Sequence, residues 1–276
     1  MKSRITNTLF FILLIILSAV FLAPILIVVV NSFKSKFSIT TEPFVLPNVA
    51  NFEGFANYET GISTTGFPIS FGWSLFITVF SVAAIIIFTS MTAWYIVRVK
   101  TVFTNILYYL LIFSMIVPFQ MVMFTMSKTA NILRLDNPIG IIVIYLGFGA
   151  GLAVFMFSGF IKSVPKGVEE AATVDGCGAL GVFWKIVFPI LKPTTVTVAI
   201  LNTMWIWNDY LLPYLVIGKD YKTIPVAVQY LKGGYGSVDM GAMMALLVLS
   251  ILPVIIFYLS CQKYIIKGVA AGAVKG

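Results

Sequence analysis

The chain has 276 residues, 60% of them hydrophobic and only 10% charged, with a mean hydropathy of +1.02 and a formal net charge of +8. A soluble domain of this size needs about a quarter of its residues charged to cover its surface, so the composition excludes one and points to an all-α integral membrane protein. There is no histidine, which removes the commonest general base and metal ligand. In a bilayer protein the basic excess is read for sidedness, and nucleic acid is not an expected partner.

The N-terminus MKSRITNTLFFILLIILSAVFLAPILIVVV has basic residues ahead of an apolar run, as a signal peptide does. The run outlasts the roughly 7–15 residues of a secretory apolar region and lacks a small-x-small cleavage site, so it is expected to stay as a first span, 8–30. Further runs long enough to cross, about 20 residues each, lie at 71–97, 104–127, 139–161, 187–217 and 241–262, giving six spans. The third is expected to kink at Pro118, and the fifth is interrupted by WNDY and Pro213. Gly147 and Gly151 form a GxxxG in the fourth, read as close helix packing.

Six spans put both termini on one side. Placing them inside assigns Lys2, Arg4, Arg98, Lys100, Lys162, Lys166, Lys185, Lys192, Lys263, Lys267 and Lys275 to the cytoplasm, more than half of the 18 basic residues. Most of the 10 acids, Glu42, Glu53, Glu59, Asp136, Asp209, Asp220 and Asp239, then face out. The bias favours N-in, C-in. Outside, 32–70 is a polar loop and 218–240 carries turn signals, neither large enough for a domain with its own core. Cys177 and Cys261 fit no zinc or CxxC spacing and are read as unpaired thiols.

One cytoplasmic segment, EEAATVDGCGALGVFWKIVFPILKP at 169–193, breaks the apolar pattern. Ser163 and Pro165 are helix-start signals, and Glu169 and Glu170 follow in the next turn or so. Ala171 and Ala172 continue a short helix with little bulk, and Gly176 and Gly178 end it. A second piece from about Ala179 to Phe188 leads into the next span. The expected product is a helix-turn-helix whose alanines admit another protein's backbone and whose acids are free to meet donor groups, a docking element.

The same residues resemble the EAA loop of binding-protein-dependent ABC importer permeases: EAA, three residues, Gly, nine residues, Ile-x-Leu-Pro. Here Glu170, Ala171 and Ala172 precede TVD, Gly176, nine residues, then Ile186, Val187, Phe188 and Pro189, with Phe188 where Leu is usual. Asp175 before Gly176, Asn57-Tyr58 and the ending GVAAGAVKG are similar to the MalG-like carbohydrate-uptake branch. Trp73 stands before Ser74-Leu75 where relatives often carry Asn. The resemblance implies one permease domain over 1–276, with first span 8–30, core spans 71–262 and coupling loop 163–188, in a bacterial cytoplasmic membrane. It implies that Glu169, Glu170, Ala171, Ala172, Asp175, Gly176, Ile186 and Pro189 meet a cytoplasmic ATPase. ATP-driven closure of two such subunits would move the helix and rock the permease pair. It also implies a tail contact with the ATPases through Gly272, Lys275 and Gly276. The expected partners are a MalF-like second permease subunit, two ATPase subunits, an extracytoplasmic solute-binding protein, a sugar substrate and membrane lipid. The chain has no GxxxxGK[ST], so no cofactor is expected in it, and ATP and Mg belong to the partner ATPase.

Two polar clusters at membrane depth are candidates for the solute path, because buried polar groups there tend to face a cavity or a partner. Asn202, Trp205, Asn208 and Asp209 fall at helical spacing in the fifth span, and Gln120 and Met123 follow Pro118 in the third. Aromatic faces suit the C–H faces of sugar rings, and amides and carboxylates suit paired hydroxyls. Interfacial Trp and interhelical bonding by Gln are equally ordinary uses of these residues. A permease for polyamine or phosphonate would share the loop. An intramembrane enzyme would need paired acids or a His/Cys nucleophile, and a secondary transporter an inverted repeat; neither is visible.

Overall fold

Long apolar runs whose backbone groups find no partner in lipid close into helices, because only internal hydrogen bonds satisfy them there. In the structure, a computed structural model that describes residues 2–218, 220–231 and 238–273, every named element is a helix. In chain order they are α1 (Lys2–Asn31), α2 (Lys36–Thr41), α3 (Ala56–Thr65), α4 (Phe67–Arg98), α5 (Val102–Ile116), α6 (Phe119–Ile132), α7 (Pro138–Ile161) and α8 (Lys166–Val174). There follow α9 (Ala179–Val182), a π-helical turn (Phe183–Val187), α10 (Phe188–Ile190), α11 (Lys192–Asn208), α12 (Leu211–Val216), α13 (Ile224–Gln229) and α14 (Met240–Ala273). Among the described residues α1, α4, α7 and α14 are each long and apolar enough to span a membrane. The α5–α6 and α9–α11 pairs raise the spans to 6 if each bent pair is one.

Those two pairs differ from the straight or kinked spans expected from the apolar runs. α5 and α6 meet at 107°, well beyond a kink. Val117 is held extended, at φ −79° and ψ 111°, by the ring of Pro118, which in turn starts α6. Within the fifth apolar run, expected over 187–217, a 76° bend next to Leu191 separates α9 and α10 from α11, which begins at Lys192. This helix ends at Asn208, where Asp209 leaves it in extended conformation.

The chain divides into two compact units. One comprises residues 1–68 and 227–255. In it the segment after α1, expected to be a polar loop, is an ordered loop: Phe33 packs among Phe52, Phe55 and Tyr58. Lys34 is fully buried, its Nζ donating to the carbonyls of Glu42 and Val45 at 2.5 and 3.0 Å. Asn57 donates to the carbonyls of Ser32 and Lys34. Because buried polar groups must be paired, these bonds substitute for the core that so short a segment lacks.

The other unit comprises residues 69–226 and 256–276. Its core is centred on α7, whose Ile141, Tyr145, Ala153, Val154, Phe157 and Ile161 are buried against α4, α5 and α11. Of the GxxxG pair only Gly151 makes a close approach: a Cβ there would sit 2.5 Å from the Leu111 carbonyl oxygen of α5, whereas one at Gly147 would meet nothing. Trp73 packs edge-on against Tyr221 at 5.0 Å, and the Ser74 hydroxyl accepts the Ile224 N–H at 2.8 Å. Cys177 and Cys261 are free.

Candidate functional site

α8 is short, and its stop is written in the backbone. Gly176 adopts φ +85°, a conformation that costs a side-chain-bearing residue roughly 1–2 kcal/mol. The Cys177 N–H then reaches the Ala172 carbonyl and the Gly176 N–H that of Thr173, each at 3.0 Å. This is the paired arrangement that satisfies the last carbonyls of a helix when Gly follows its cap. Gly178 has ordinary φ, −70°, and opens α9. At the other end Pro165 caps α8 without a side-chain bond, while Ser163, expected to start the helix, donates its hydroxyl back to Phe160.

Helical spacing sorts the loop residues into two faces. Glu170, Ala171, Val174 and Asp175 are exposed, as is Gly176 in the turn. Glu169 and Ala172 are buried. The expectation that both acids are free is thereby corrected for Glu169. Its Oε1 accepts from Arg98 Nη2 at 2.6 Å and Nε at 2.9 Å, and its Oε2 accepts from Trp94 Nε1 at 2.9 Å. Arg98 Nη2 also donates to the Val164 carbonyl at 3.0 Å. The last turn of α4 thus grips the lead-in to α8 at Val164 and its first turn at Glu169, with both carboxylate oxygens engaged. Trp94 and Arg98 were not singled out in the sequence, although their four-residue spacing puts them on one helix face at the end of a span.

Behind α8, Val182, Phe183, Val187 and Leu191 are buried. Phe183 packs on Trp94, Trp184 and Phe188, with centroids 5.0–5.9 Å apart. The π-helical turn lets Val182, Phe183 and Val187 share that inner face, and such turns recur at functional sites. Ile186 is half-buried against the same core, and Pro189 is exposed. Of the tail residues, Gly272 lies in α14, while Lys275 and Gly276 lie outside the described residues.

The fifth-span cluster separates. Asn202 is buried and donates to Val198 within its own helix. Asp209 is used internally: Oδ2 accepts from the Tyr145 hydroxyl at 3.0 Å, and Oδ1 from the Leu211 N–H at 3.0 Å, which starts α12. Tyr145, fully buried and not anticipated, also packs edge-on against Trp205 at 5.5 Å. Trp205 itself is 41% exposed, and Asn208 is exposed, its amide bonded to Met204. Gln120 is exposed and Met123 half-buried on α6, beyond the 107° break.

The chain is similar to several known proteins. Residues 85–271 match the family described as binding-protein-dependent transport system inner membrane component. The chain is 40% identical to the "Probable starch degradation products transport system permease protein AmyC" of Thermoanaerobacterium thermosulfurigenes, over 95% of this chain and 94% of that one. It is 36% identical to the "Multiple sugar-binding transport system permease protein MsmG" of Streptococcus mutans, over 96% of each. In fold it resembles a chain of the crystal structure of a bacterial ABC transporter involved in the import of the acidic polysaccharide alginate, with a TM-score of 0.77, 24% identity and coverage of 95% and 97%. A helical chain with several membrane-spanning segments, a glycine-capped helix after α7 and this match over more than half its length is a multi-pass membrane protein belonging to the binding-protein-dependent transport system inner membrane component family.

Proposed function

We propose that this chain forms half of the translocation pathway of an ATP-driven carbohydrate importer, its cargo an oligosaccharide, and couples it to a separate ATPase through α8. Membership of the family implies, in general terms, a second permease, an ATPase and a solute-binding protein. In this reading they are a MalF-like subunit, two ATPase subunits that supply ATP and Mg, and an extracytoplasmic binding protein. The chain is non-catalytic, one permease domain over 1–276, and lies N-in, C-in in the bacterial cytoplasmic membrane. The sugar-related names of relatives such as AmyC and MsmG support the carbohydrate cargo.

The observation that carries the coupling role is the two-faced α8. Its outer face offers Glu170, Ala171 and Asp175, and its inner face is latched by Glu169 to Arg98 at the end of α4. A push on the exposed face is delivered to a span through charge-assisted hydrogen bonds, which are short and strong. Ala172, Gly176, Ile186 and Pro189 shape the loop, and Gly272, Lys275 and Gly276 add a second ATPase contact. Trp205 and Asn208 present the solute-facing surface, Trp205 backed by Tyr145 and so by Asp209, with Asn202 in the same helix and Gln120 and Met123 further along the path.

The test is ATP-driven sugar uptake in proteoliposomes carrying the co-encoded subunits. Ala171→Trp, which adds bulk only to the exposed face, is expected to abolish uptake without loss of insertion. Ala172→Trp is a poorer probe, because Ala172 is 7% exposed and a large ring there disrupts packing. Normal uptake by Ala171→Trp would sink the docking role. A binding screen that finds no carbohydrate ligand for the cognate binding protein would sink the cargo.

A further inference from the structure

The ends of α4, α5 and α7 and the first residue of α8 line a cleft of 610 Å³ that borders the coupling latch and shares Arg98 and Val164 with it. Its wall carries Arg98, Lys100, Lys162 and Lys166, with Tyr108 and Tyr109. Arg98 is answered by Glu169, but no carboxylate pairs with Lys100, Lys162 or Lys166 among the described residues. Lys162 instead sits over the Tyr108 ring at 5.7 Å. The cleft is also lined by Ser158, which is fully buried yet has no hydrogen-bond partner for its hydroxyl. Ser in a helix usually returns its proton to the preceding turn, and a buried unpaired hydroxyl costs free energy, so the group is available to a ligand.

We propose that this cleft binds the phosphate of an anionic phospholipid. Three uncompensated ammonium groups and a hydroxyl donor are the chemistry a phosphate diester needs. The position selects a lipid over a soluble phosphate. The cleft lies where α4 and α7 end, at Arg98 and Ile161, and α5 begins, at Val102, so the ends of two membrane-spanning helices place it where a headgroup would sit. From it a stripe on α5, Ile106, Leu110 and Phe113, runs toward the membrane interior, 53–62% exposed and at helical spacing, a track for an acyl chain. Tyr109 at the cleft's lip, 69% exposed, is the kind of residue that anchors at that boundary. The inference rests on the membrane-spanning assignment and not on the transport reading, so failure of the uptake tests leaves it standing.

The experiment is native mass spectrometry of the full chain in zwitterionic detergent. The chain is titrated separately with phosphatidylglycerol, with phosphatidylcholine of the same acyl chains, and with inorganic phosphate. One phosphatidylglycerol is expected to be retained in preference to both other probes. Lysine near a membrane surface contributes an attraction equivalent to about fivefold in affinity. Lys162→Gln with Lys166→Gln is therefore expected to weaken retention about 25-fold, while Lys192→Gln, outside the cleft, leaves it intact. Ser158→Val, which removes the hydroxyl and keeps every charge, is also expected to weaken it, with an unchanged melting transition in phosphatidylcholine as the fold check. Equal retention of the two lipids overturns the proposal. So does indifference to the double lysine variant, or phosphate binding with no preference for phosphatidylglycerol.

Discussion

Gly176 and Gly178 are two residues apart, and a Cβ at either would meet nothing within 4 Å. Space therefore does not distinguish them; backbone conformation does. Gly176→Ala is expected to cost the loop about 1–2 kcal/mol through its φ of +85° and to lower coupled uptake, whereas Gly178→Ala is expected to be silent. Equal uptake by the two variants would refute the argument. The paired glutamates invite a similar contrast. Glu169→Ala leaves Arg98 and Trp94 without their acceptor in a partly buried site, a loss of about 3 kcal/mol visible as a lower melting temperature. Glu170→Ala is expected to stay within about 0.5 kcal/mol of the parent in stability while lowering ATP-driven uptake. A melting temperature that falls more for Glu170→Ala than for Glu169→Ala would contradict the latch. The pattern EAA marks this segment in the sequence, but which acid turns inward depends on Arg98, distant along the chain, and no local spacing reveals it.

At the scale of elements, the packing of α5 on α7 turns on one glycine. Gly151→Ala forces its Cβ against the Leu111 carbonyl and Met115, at 2.5 and 2.6 Å, and is expected to destabilise by about 1–3 kcal/mol. Gly147→Ala meets open space and, being in a helix, is expected to be neutral or to stabilise by up to about 1 kcal/mol. Thermal melts of the two variants in detergent check the sign of each. The apolar runs announced nearly all the long helices, since a run of that length has no other way to satisfy its backbone in lipid. They did not announce the bends. Pro118 was visible as a kink signal, but whether a proline bends a helix modestly or breaks it at 107° depends on what packs on either side of Val117.

Across the larger unit, Tyr145 joins elements that the sequence keeps apart. It lies in α7, packs on Trp205 of α11 and donates to Asp209 at the start of the α12 connection. Tyr145→Phe keeps the ring contact and removes one hydrogen bond to a carboxylate, a loss of about 1.5–3 kcal/mol in stability. If Trp205 faces solute as proposed, Trp205→Ala raises the KM for uptake with the fold intact, and Tyr145→Phe, by loosening its support, shifts KM in the same direction. Unchanged uptake kinetics in both variants would remove this face from the solute path.

The sequence alone determined the class of protein, the places of the apolar segments and the place of the glycine-broken polar loop at 169–193. Length of apolar run, scarcity of charge and the spacing of Ala, Gly and Pro act locally along the chain and need no partner to be read. The tertiary structure decided which polar residues are spent inside the molecule: Glu169 on Arg98, Asp209 on Tyr145, Asn202 within its helix. It also decided which residues of the loop and the fifth run are left outward, Glu170, Ala171, Trp205 and Asn208. That division follows from burial and pairing between residues far apart in the chain, since a charge or amide is withdrawn from solvent only where another element supplies its hydrogen bonds.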